Sequence, residues 1–232
     1  MPRKSAEQDD NNNQPQSKPS TRKPGRPSRD ASPVAPDEVL LQLAFETFAE
    51  LGFESTALRD LCRRLGVSHN LIHSRFGSKD ALWLRAVDYC LTQHSQEAFQ
   101  VFIDDYPSDE ARLRALVVSF TESAAANPAV VGLIHHEGRR DSWRLEHLYQ
   151  AFVAPFSRQL AALLERLACT HGRMPMSTAT FMVLMVHGIG SYFVLYPLIR
   201  KLGFPEKLSL EEVRRQGEIF AEVMLTAVTQ HS

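Results

Sequence analysis

The feature that most constrains the fold is a helical spacing of apolar residues that glycines interrupt at short intervals. From Pro36 to Leu51 apolar side chains recur every three or four residues, which places them on one face of a helix. Gly52, Gly66 and Gly77 each follow such a segment, at the position where a left-handed residue ends a helix. The pattern therefore predicts three short helices between residues 36 and 77.

The starts of these helices carry recognisable caps. We expect Ser55 or Thr56 to cap the second helix. Ser68 begins the third, and Ser78 should cap a fourth helix of about twenty-five residues. Three apolar residues of the third helix are expected to face inward: Leu71, Ile72 and Phe76.

Beyond residue 106 the helical spacing continues and strand alternation is nearly absent. Breaks fall at Asn127–Pro128, Gly138–Asp141, Thr170–Pro175 and Gly203–Ser209. We therefore predict an all-α protein of about nine helices, in a small N-terminal bundle and a larger C-terminal one. The expected divisions are a disordered tail at 1–35, the first bundle at 36–80 and the second at 81–232.

Charge and cysteine content narrow the class of protein. Lys and Arg number 13 against 11 Asp and Glu up to residue 85, and 13 against 16 after it, for a formal net charge of -1. The basic excess at the front is compatible with phosphate contact but too small to establish it. Cys62, Cys90 and Cys169 lack C-x-x-C spacing, so we expect neither a disulfide framework nor a zinc knuckle. The first thirty residues lack an apolar signal segment, and we expect a cytoplasmic location.

The stretch from Ala179 to Ile199 carries no formal charge and is long enough to span a bilayer. It also contains polar or helix-breaking residues such as His187, Gly190 and Pro197. A helix that is apolar on all sides is typical of a buried or interface position as well. We favour burial in protein over a membrane span.

Two short helices joined by a tight turn, with a preceding helix packed across them, meet the physical specification of a helix-turn-helix. Here the turn is Leu65-Gly66-Val67-Ser68, and its glycine lets the chain reverse without a Cβ clash. By spacing alone, a plain helical corner fits equally well. The residue types around the turn distinguish the two interpretations.

Those residues form three strings: Phe48-Ala49-Glu50-Leu51-Gly52-Phe53-Glu54-Ser55-Thr56, then Leu61 with Leu65-Gly66-Val67-Ser68, and Phe76-Gly77-Ser78-Lys79-Asp80-Ala81-Leu82. They resemble the DNA-binding domain of the TetR family of bacterial regulators, from Leu40 to Val87. The rest of the chain resembles the family only in helix count, length and layout. The resemblance implies a helix-turn-helix domain at 36–80 and an effector-binding and dimerisation domain at 81–232. The implied function is that of a ligand-responsive repressor that binds a palindromic operator as a homodimer, although activation stays open.

In this family the third helix enters the major groove of double-stranded DNA, where Asn can bond an adenine edge and Arg a guanine edge. Lys79 matches a family lysine that contacts phosphate. The candidate DNA-contacting residues are Ser55, Thr56, Ser68, His69, Asn70, His73, Ser74, Arg75 and Lys79. For each of them the alternative is a solvated side chain without a role.

Three positions depart from the family pattern. His73 replaces a tyrosine and titrates near neutrality. Arg75 stands where His or Tyr is common and could reach a base or only a phosphate. Leu71 stands where a small or polar residue is common and could contact a thymine methyl. The operator sequence is therefore left open.

The basic half of the tail adds a second candidate DNA contact. The run Arg22-Lys23-Pro24-Gly25-Arg26-Pro27 resembles the minor-groove core of AT-hook peptides. A thin, positive peptide suits the narrow groove of A·T-rich DNA, which makes Arg22, Lys23 and Arg26 candidates. A solvated linker is the alternative interpretation.

The second bundle is rich in aromatic and methionine side chains, most of which must be core. A subset could line a cavity for an unknown small-molecule effector: Phe120, His135, Trp143, Phe152, Phe156, Met182, Met185 and His187. His187 could instead be a buried polar bridge between subunits or a core histidine with its hydrogen bonds satisfied, and we favour the last. Adjacent His135 and His136 point in different directions on a helix, unlike the histidines of H-E-x-x-H zinc sites, so we expect no metal.

The family resemblance also implies that helices at about Ser177–Ile199 and Leu210–Gln230 pair with their twofold mates. The candidate interface residues are Gly188, Gly190, Ser191, Leu195, Phe220 and Met224. An effector would bind better to a dimer whose recognition helices are wrongly spaced, and so shift the population off DNA.

Three other hypotheses stay open at this point. They are a DNA-binding regulator or architectural protein without an effector, an enzyme that uses His135, His136 or Glu137, and a membrane-anchored regulator. The chain contains no G-x-S-x-G, G-x-x-x-x-G-K or G-x-G-x-x-G motif. We therefore expect no enzymatic activity and no cofactor. From the polar and helix-breaking residues of the Ala179–Ile199 stretch we also expect no membrane partner.

Overall fold

This computed structural model describes residues 35–229, in which helices are the only regular secondary structure. The α-helices are α1 (Asp37–Leu51), α2 (Leu58–Leu65), α3 (His69–Phe76), α4 (Lys79–Ile103), α5 (Asp109–Ala126), α6 (Pro128–Glu137), α7 (Trp143–Leu148), α8 (Ala154–Thr170), α9 (Thr178–Val183), α10 (Ser191–Val194), α11 (Tyr196–Lys201) and α12 (Leu210–Thr229). Two π-helical segments, π1 (Tyr149–Val153) and π2 (Leu184–Gly190), join α7 to α8 and α9 to α10 without a break. The predicted all-α fold is confirmed.

The first bundle is closed by α1, which packs along α4 and also contacts α2 and α6. Its core is continuous and fully buried at Phe45, Phe48, Leu61, Ile72 and Trp83. Helix α4 runs without interruption from this bundle into the second, so residue 80 lies in its first turn.

In the second bundle α5 and α12 pack side by side, and α8, α9 and π2 complete the core around them. Gly217 of α12 permits the close approach, because a Cβ there would lie 3.2 Å from the Cα of Val118. Helix α6 links the bundles in a similar way, since a Cβ on Gly132 would lie 3.1 Å from the carbonyl oxygen of Ala49.

One expected cap is wrong. The N-cap of α2 is Ala57, which makes no side-chain hydrogen bond. Thr56 is buried and donates its hydroxyl to the carbonyl oxygen of Gly52, 2.7 Å away. The expected cap Ser78 is confirmed, because its hydroxyl accepts a bond from the backbone N–H of Ala81, and Ser68 caps α3 in the same way.

The uncharged stretch is divided into α9, π2, α10 and α11, with a bend at Leu195. One side of it, including Phe181, Met185 and Ile189, is buried in the second core. Within residues 35–229 no single helix is long and apolar enough to cross a membrane, although α5 and α6 reach that length together with a bend of 93° between them.

Candidate DNA-binding surface and internal cavity

Helix α3 is fixed to the first bundle by two side chains and by its turn. Ile72 and Phe76 are buried on its inner side. Gly66 adopts a left-handed conformation with φ 66°, and the N–H of Val67 donates to the carbonyl oxygen of Cys62 at 3.0 Å. The Ser68 hydroxyl then accepts the N–H of Leu71 at 3.2 Å. These contacts set the orientation of α3 independently of any ligand.

The outer surface of α3 is formed by His69, Asn70, His73 and Ser74, all of them exposed. His73 Nδ1 lies 2.7 Å from the carbonyl oxygen of Gly77, and the Ser74 hydroxyl donates to that of Leu71. His69 and Asn70 form no side-chain hydrogen bond with any described residue. Their donors and acceptors are therefore available to a base edge.

Arg75 does not share that outer surface, contrary to the expectation from the sequence. Its Nη1 donates to Asp37 Oδ1 at 3.0 Å and to the carbonyl oxygen of Ala35 at 3.1 Å. Arg85 stacks on the Phe76 ring and donates to the carbonyl oxygen of Arg75. The guanidinium of Arg75 is thus directed at α1, because an acidic residue 38 positions earlier stands beside it.

Lys79 is the first residue of α4, and its side chain contacts the loop that precedes α2. Its Nζ donates to the carbonyl oxygen of Thr56 at 2.8 Å and lies 4.0 Å from the centroid of the Phe53 ring. Burial lowers the pKa of this ammonium group from its ordinary value. Ser55, one residue before Thr56, is exposed. Since Thr56 itself is buried, it has no exposed hydroxyl to offer DNA.

A second cation reaches the same aromatic ring from the other bundle. The guanidinium of Arg144, on α7, lies 4.1 Å from the Phe53 centroid. It also donates to Glu137 of α6 and to Glu54 of the loop before α2, both at 2.9 Å. Arg144 and Glu137 are each at least 95% buried, whereas Glu54 is exposed. This network joins the second bundle to the loop that holds Lys79, and no sequence motif indicated it.

The second bundle contains an apolar cavity of about 160 Å³ between α4, α5, α6, π1, α8 and π2. Five of the predicted effector residues line it: Phe120, Phe152, Phe156, Met182 and Met185. Its few polar lining groups are His94, Ser95 and Ser123. Both π-helical segments contribute to the wall, and such segments are frequent at functional sites.

The other three predicted effector residues lie outside this cavity. Trp143 packs against Trp83 at the junction of the bundles, with ring centroids 5.4 Å apart. His135 and His187 stack on each other, with centroids 4.5 Å apart and planes 6° from parallel. Burial, followed by the neighbouring His187, lowers the pKa of His135.

The predicted dimer residues divide into an exposed and a buried set. Gly188 and Leu195 are exposed and Ser191 is partly exposed. Gly190 is buried, because a Cβ there would lie 2.9 Å from Val131, and Met224 belongs to the core. Phe220 is partly buried against Tyr192. The exposed apolar residues that the prediction missed on these helices are Val183, Leu184, Leu198, Leu210, Ile219 and Val223.

Two further expectations concern the tail and a metal. Arg22, Lys23 and Arg26 lie outside the described residues. In the described part of the chain no three His, Cys, Asp or Glu side chains are arranged to hold a metal ion.

Comparison with known families and curated proteins relates the first bundle to DNA-binding domains. Residues 40–86 match the family described as bacterial regulatory proteins, tetR family. The HTH-type transcriptional repressor Rv3405c of Mycobacterium tuberculosis is 37% identical over 73 residues, which are 29% of this chain and 39% of that protein. The uncharacterized HTH-type transcriptional regulator YezE of Bacillus subtilis is 39% identical over 49 residues, 21% of this chain and 25% of that protein. This chain therefore spans well under half the length of either relative.

Solved structures extend the similarity of fold to both bundles. SCO3833, a TetR-family member from Streptomyces coelicolor A3, aligns with a TM-score of 0.60 at 23% identity, over 82% of this chain and 89% of that one. The hemolysin II regulator HlyIIR aligns with a TM-score of 0.60 at 20% identity, over 84% of this chain and 97% of that one. FadR of Bacillus subtilis, in complex with stearoyl-CoA, aligns with a TM-score of 0.58 at 11% identity, over 83% of this chain and 98% of that one.

Proposed function

We propose that the chain is a transcriptional regulator of the TetR family, and that it is a homodimeric repressor that releases its operator when a small apolar molecule binds. The observation that carries the DNA-binding part is the outer surface of α3. Asn70 and His69 are exposed there with unused hydrogen-bonding groups, on a helix held by Ile72 and Phe76. Such a pre-positioned helix can read base edges without first ordering its own side chains.

For the effector site we propose the apolar cavity of the second bundle. Its lining accepts hydrocarbon, while His94, Ser95 and Ser123 offer hydrogen bonds to a single polar group. The FadR structure with stearoyl-CoA supports an effector that contains an acyl chain. At about 160 Å³ the cavity is smaller than typical ligand pockets of about 300–1,000 Å³, so we expect a bound effector to widen it.

Widening of this cavity would be transmitted to the first bundle through α6. Val130 and Ile134 of α6 line the cavity. On the same helix Gly132 approaches the backbone of α1, and Glu137 holds Arg144. A shift of α6 would therefore move α1 and the loop that positions Lys79. In a dimer this changes the spacing of the two recognition helices, which lowers operator affinity.

We place the dimer interface on the exposed apolar residues of α9, π2 and α12. Val183, Leu184, Ile219 and Val223 are each more than 40% exposed, which is costly for a monomer but expected of a surface that a second copy covers. As a protein that binds chromosomal DNA, it would act in the cytoplasm.

The test is a footprint on the DNA that flanks the protein's own gene, with and without long-chain fatty acids or their CoA esters. We expect a protected, near-palindromic site that is lost when an effector of this class is added. Asn70→Ala should lower operator affinity about 5- to 160-fold and leave non-specific affinity unchanged, since one bidentate base contact contributes about 1–3 kcal/mol of discrimination. Gln159→Ala, an exposed amide on α8, is the matched control. Equal footprints for wild type and Asn70→Ala would refute the assignment of α3.

A further inference from the structure

The junction between the bundles contains a second, very different cavity. It is a polar cleft of about 320 Å³ between the loop at residues 52–55 and the segment from the end of α6 to the start of α7. Its lining includes Ser55, His136, Arg139, Arg140 and Arg144. Neither the family resemblance nor the apolar effector cavity accounts for this concentration of cations.

The positive charge of the cleft is only partly neutralised. Its two carboxylates, Glu54 and Glu137, both accept hydrogen bonds from Arg144. Arg139 and Arg140 are exposed, line the cleft, and form no ion pair with any residue of the described chain. The three arginines and two carboxylates of the lining therefore leave a net charge of +1, and neither Arg139 nor Arg140 has an ion-pair partner among the described residues.

We propose that this cleft binds a phosphate group, which Arg139 and Arg140 hold by their guanidinium N–H groups while the exposed Ser55 hydroxyl donates a further bond. Guanidinium groups match the oxygens of phosphate in bidentate fashion, and a neutral ligand would leave the net positive charge of the cleft uncompensated. The lining of the cleft includes Phe53, whose ring also contacts Lys79 Nζ. An occupied cleft would therefore border the loop next to the predicted DNA contact.

Two sources could supply that phosphate. One is the operator backbone beside the phosphate that Lys79 would contact, and this source rests on the proposed function. The other is a free phosphate compound, which does not depend on DNA binding. The chemistry at Arg139 and Arg140 is the same in both cases.

The experiment compares wild type with the double variant Arg139→Gln/Arg140→Gln. The matched control is Arg158→Gln/Lys207→Gln, which removes two exposed positive charges outside the cleft and outside every ion pair of the described residues. In the first arm, operator affinity is measured by fluorescence anisotropy from 50 to 300 mM salt. In the second arm, inorganic phosphate is titrated into DNA-free protein in a calorimeter, at constant ionic strength set with chloride.

If the phosphate belongs to DNA, the double variant should reduce the slope of log K against log salt by about 1 to 2, since each lost contact removes about 0.9. If it belongs to a free compound, wild type and control should give saturable heat with phosphate that the double variant lacks. Equal slopes in all three proteins together with no saturable phosphate heat would overturn the proposal. Should wild type fail to bind any operator, the proposed function fails and the calorimetric arm alone decides on the cleft.

Discussion

The contact between Arg144 and Glu137 offers the sharpest test of how the two bundles are held together. Both side chains are buried, and their ion pair has an N···O distance of 2.9 Å. We predict that Arg144→Met destabilises the protein severely, because it leaves the Glu137 carboxylate buried without its partner.

The expected loss follows from the contacts of Arg144. Breaking a buried pair by removing one partner costs about 3–5 kcal/mol. Loss of the guanidinium from the Phe53 ring, 4.1 Å away, removes about 1 kcal/mol more. The free energy of unfolding should therefore fall by about 4–6 kcal/mol, which is a large part of the about 5–15 kcal/mol that stabilises a typical domain.

Urea unfolding followed by circular dichroism at a fixed protein concentration measures this change. The control is the double variant Arg144→Met/Glu137→Leu, in which two apolar side chains of similar size replace the pair. It should recover all but about 1–2 kcal/mol of the loss, because no charge is then left buried. A loss below about 1 kcal/mol in Arg144→Met, or equal losses in the single and double variants, would refute the reasoning.

Three further predictions concern α3, π2 and the histidine pair. Ser68→Ala removes the hydroxyl that accepts the N–H of Leu71, so urea unfolding should show a loss of about 1 kcal/mol; an unchanged midpoint would contradict the capping role. Gly190→Ala places a Cβ 2.9 Å from Val131, and thermal unfolding should report a loss of about 1–3 kcal/mol, whereas equal stability would mean that Val131 moves freely. The pKa of His135 is lowered by burial from 6.5, so the unfolded chain takes up that proton at higher pH than the folded protein. Stability should thus fall as the pH decreases below about 6.5 and level off beneath the lowered pKa; His135→Asn should reduce this fall, and an identical pH profile would exclude His135 as its source.

Local patterns in the sequence were enough to predict the helices. Apolar spacing, the glycines at 52, 66 and 77, and the cap Ser78 are all short-range signals. Each of these glycines follows a helix end in the structure, and Ser78 caps α4. The expected breaks of the second bundle also follow from local prolines and glycines. The prediction that α3 is the recognition helix came from the family resemblance. The spacing of its residues alone fits a helical corner without a DNA-binding role equally well.

Side-chain directions at the candidate sites depended instead on residues far along the chain. Arg75 is turned to α1 by Asp37, and Trp143 is drawn to the junction by Trp83 rather than to the cavity. Periodicity assigns a residue to a face of its own helix, but it does not tell which partner that face meets. Gly190, predicted at the dimer interface, is likewise turned to a distant residue, since Val131 of α6 occupies the space beside it.

The ring of Phe53 shows why such long-range contacts matter for function. Lys79 and Arg144 both lie about 4 Å from its centroid, although they belong to different bundles. Arg144 is held by α6 through Glu137, and α6 lines the apolar cavity that we propose as the effector site. Any displacement of α6 therefore changes the surroundings of Lys79 without contact between effector and DNA-binding residues. Variants of Arg144 that remain folded should consequently weaken the response of operator affinity to effector more than they weaken effector binding itself.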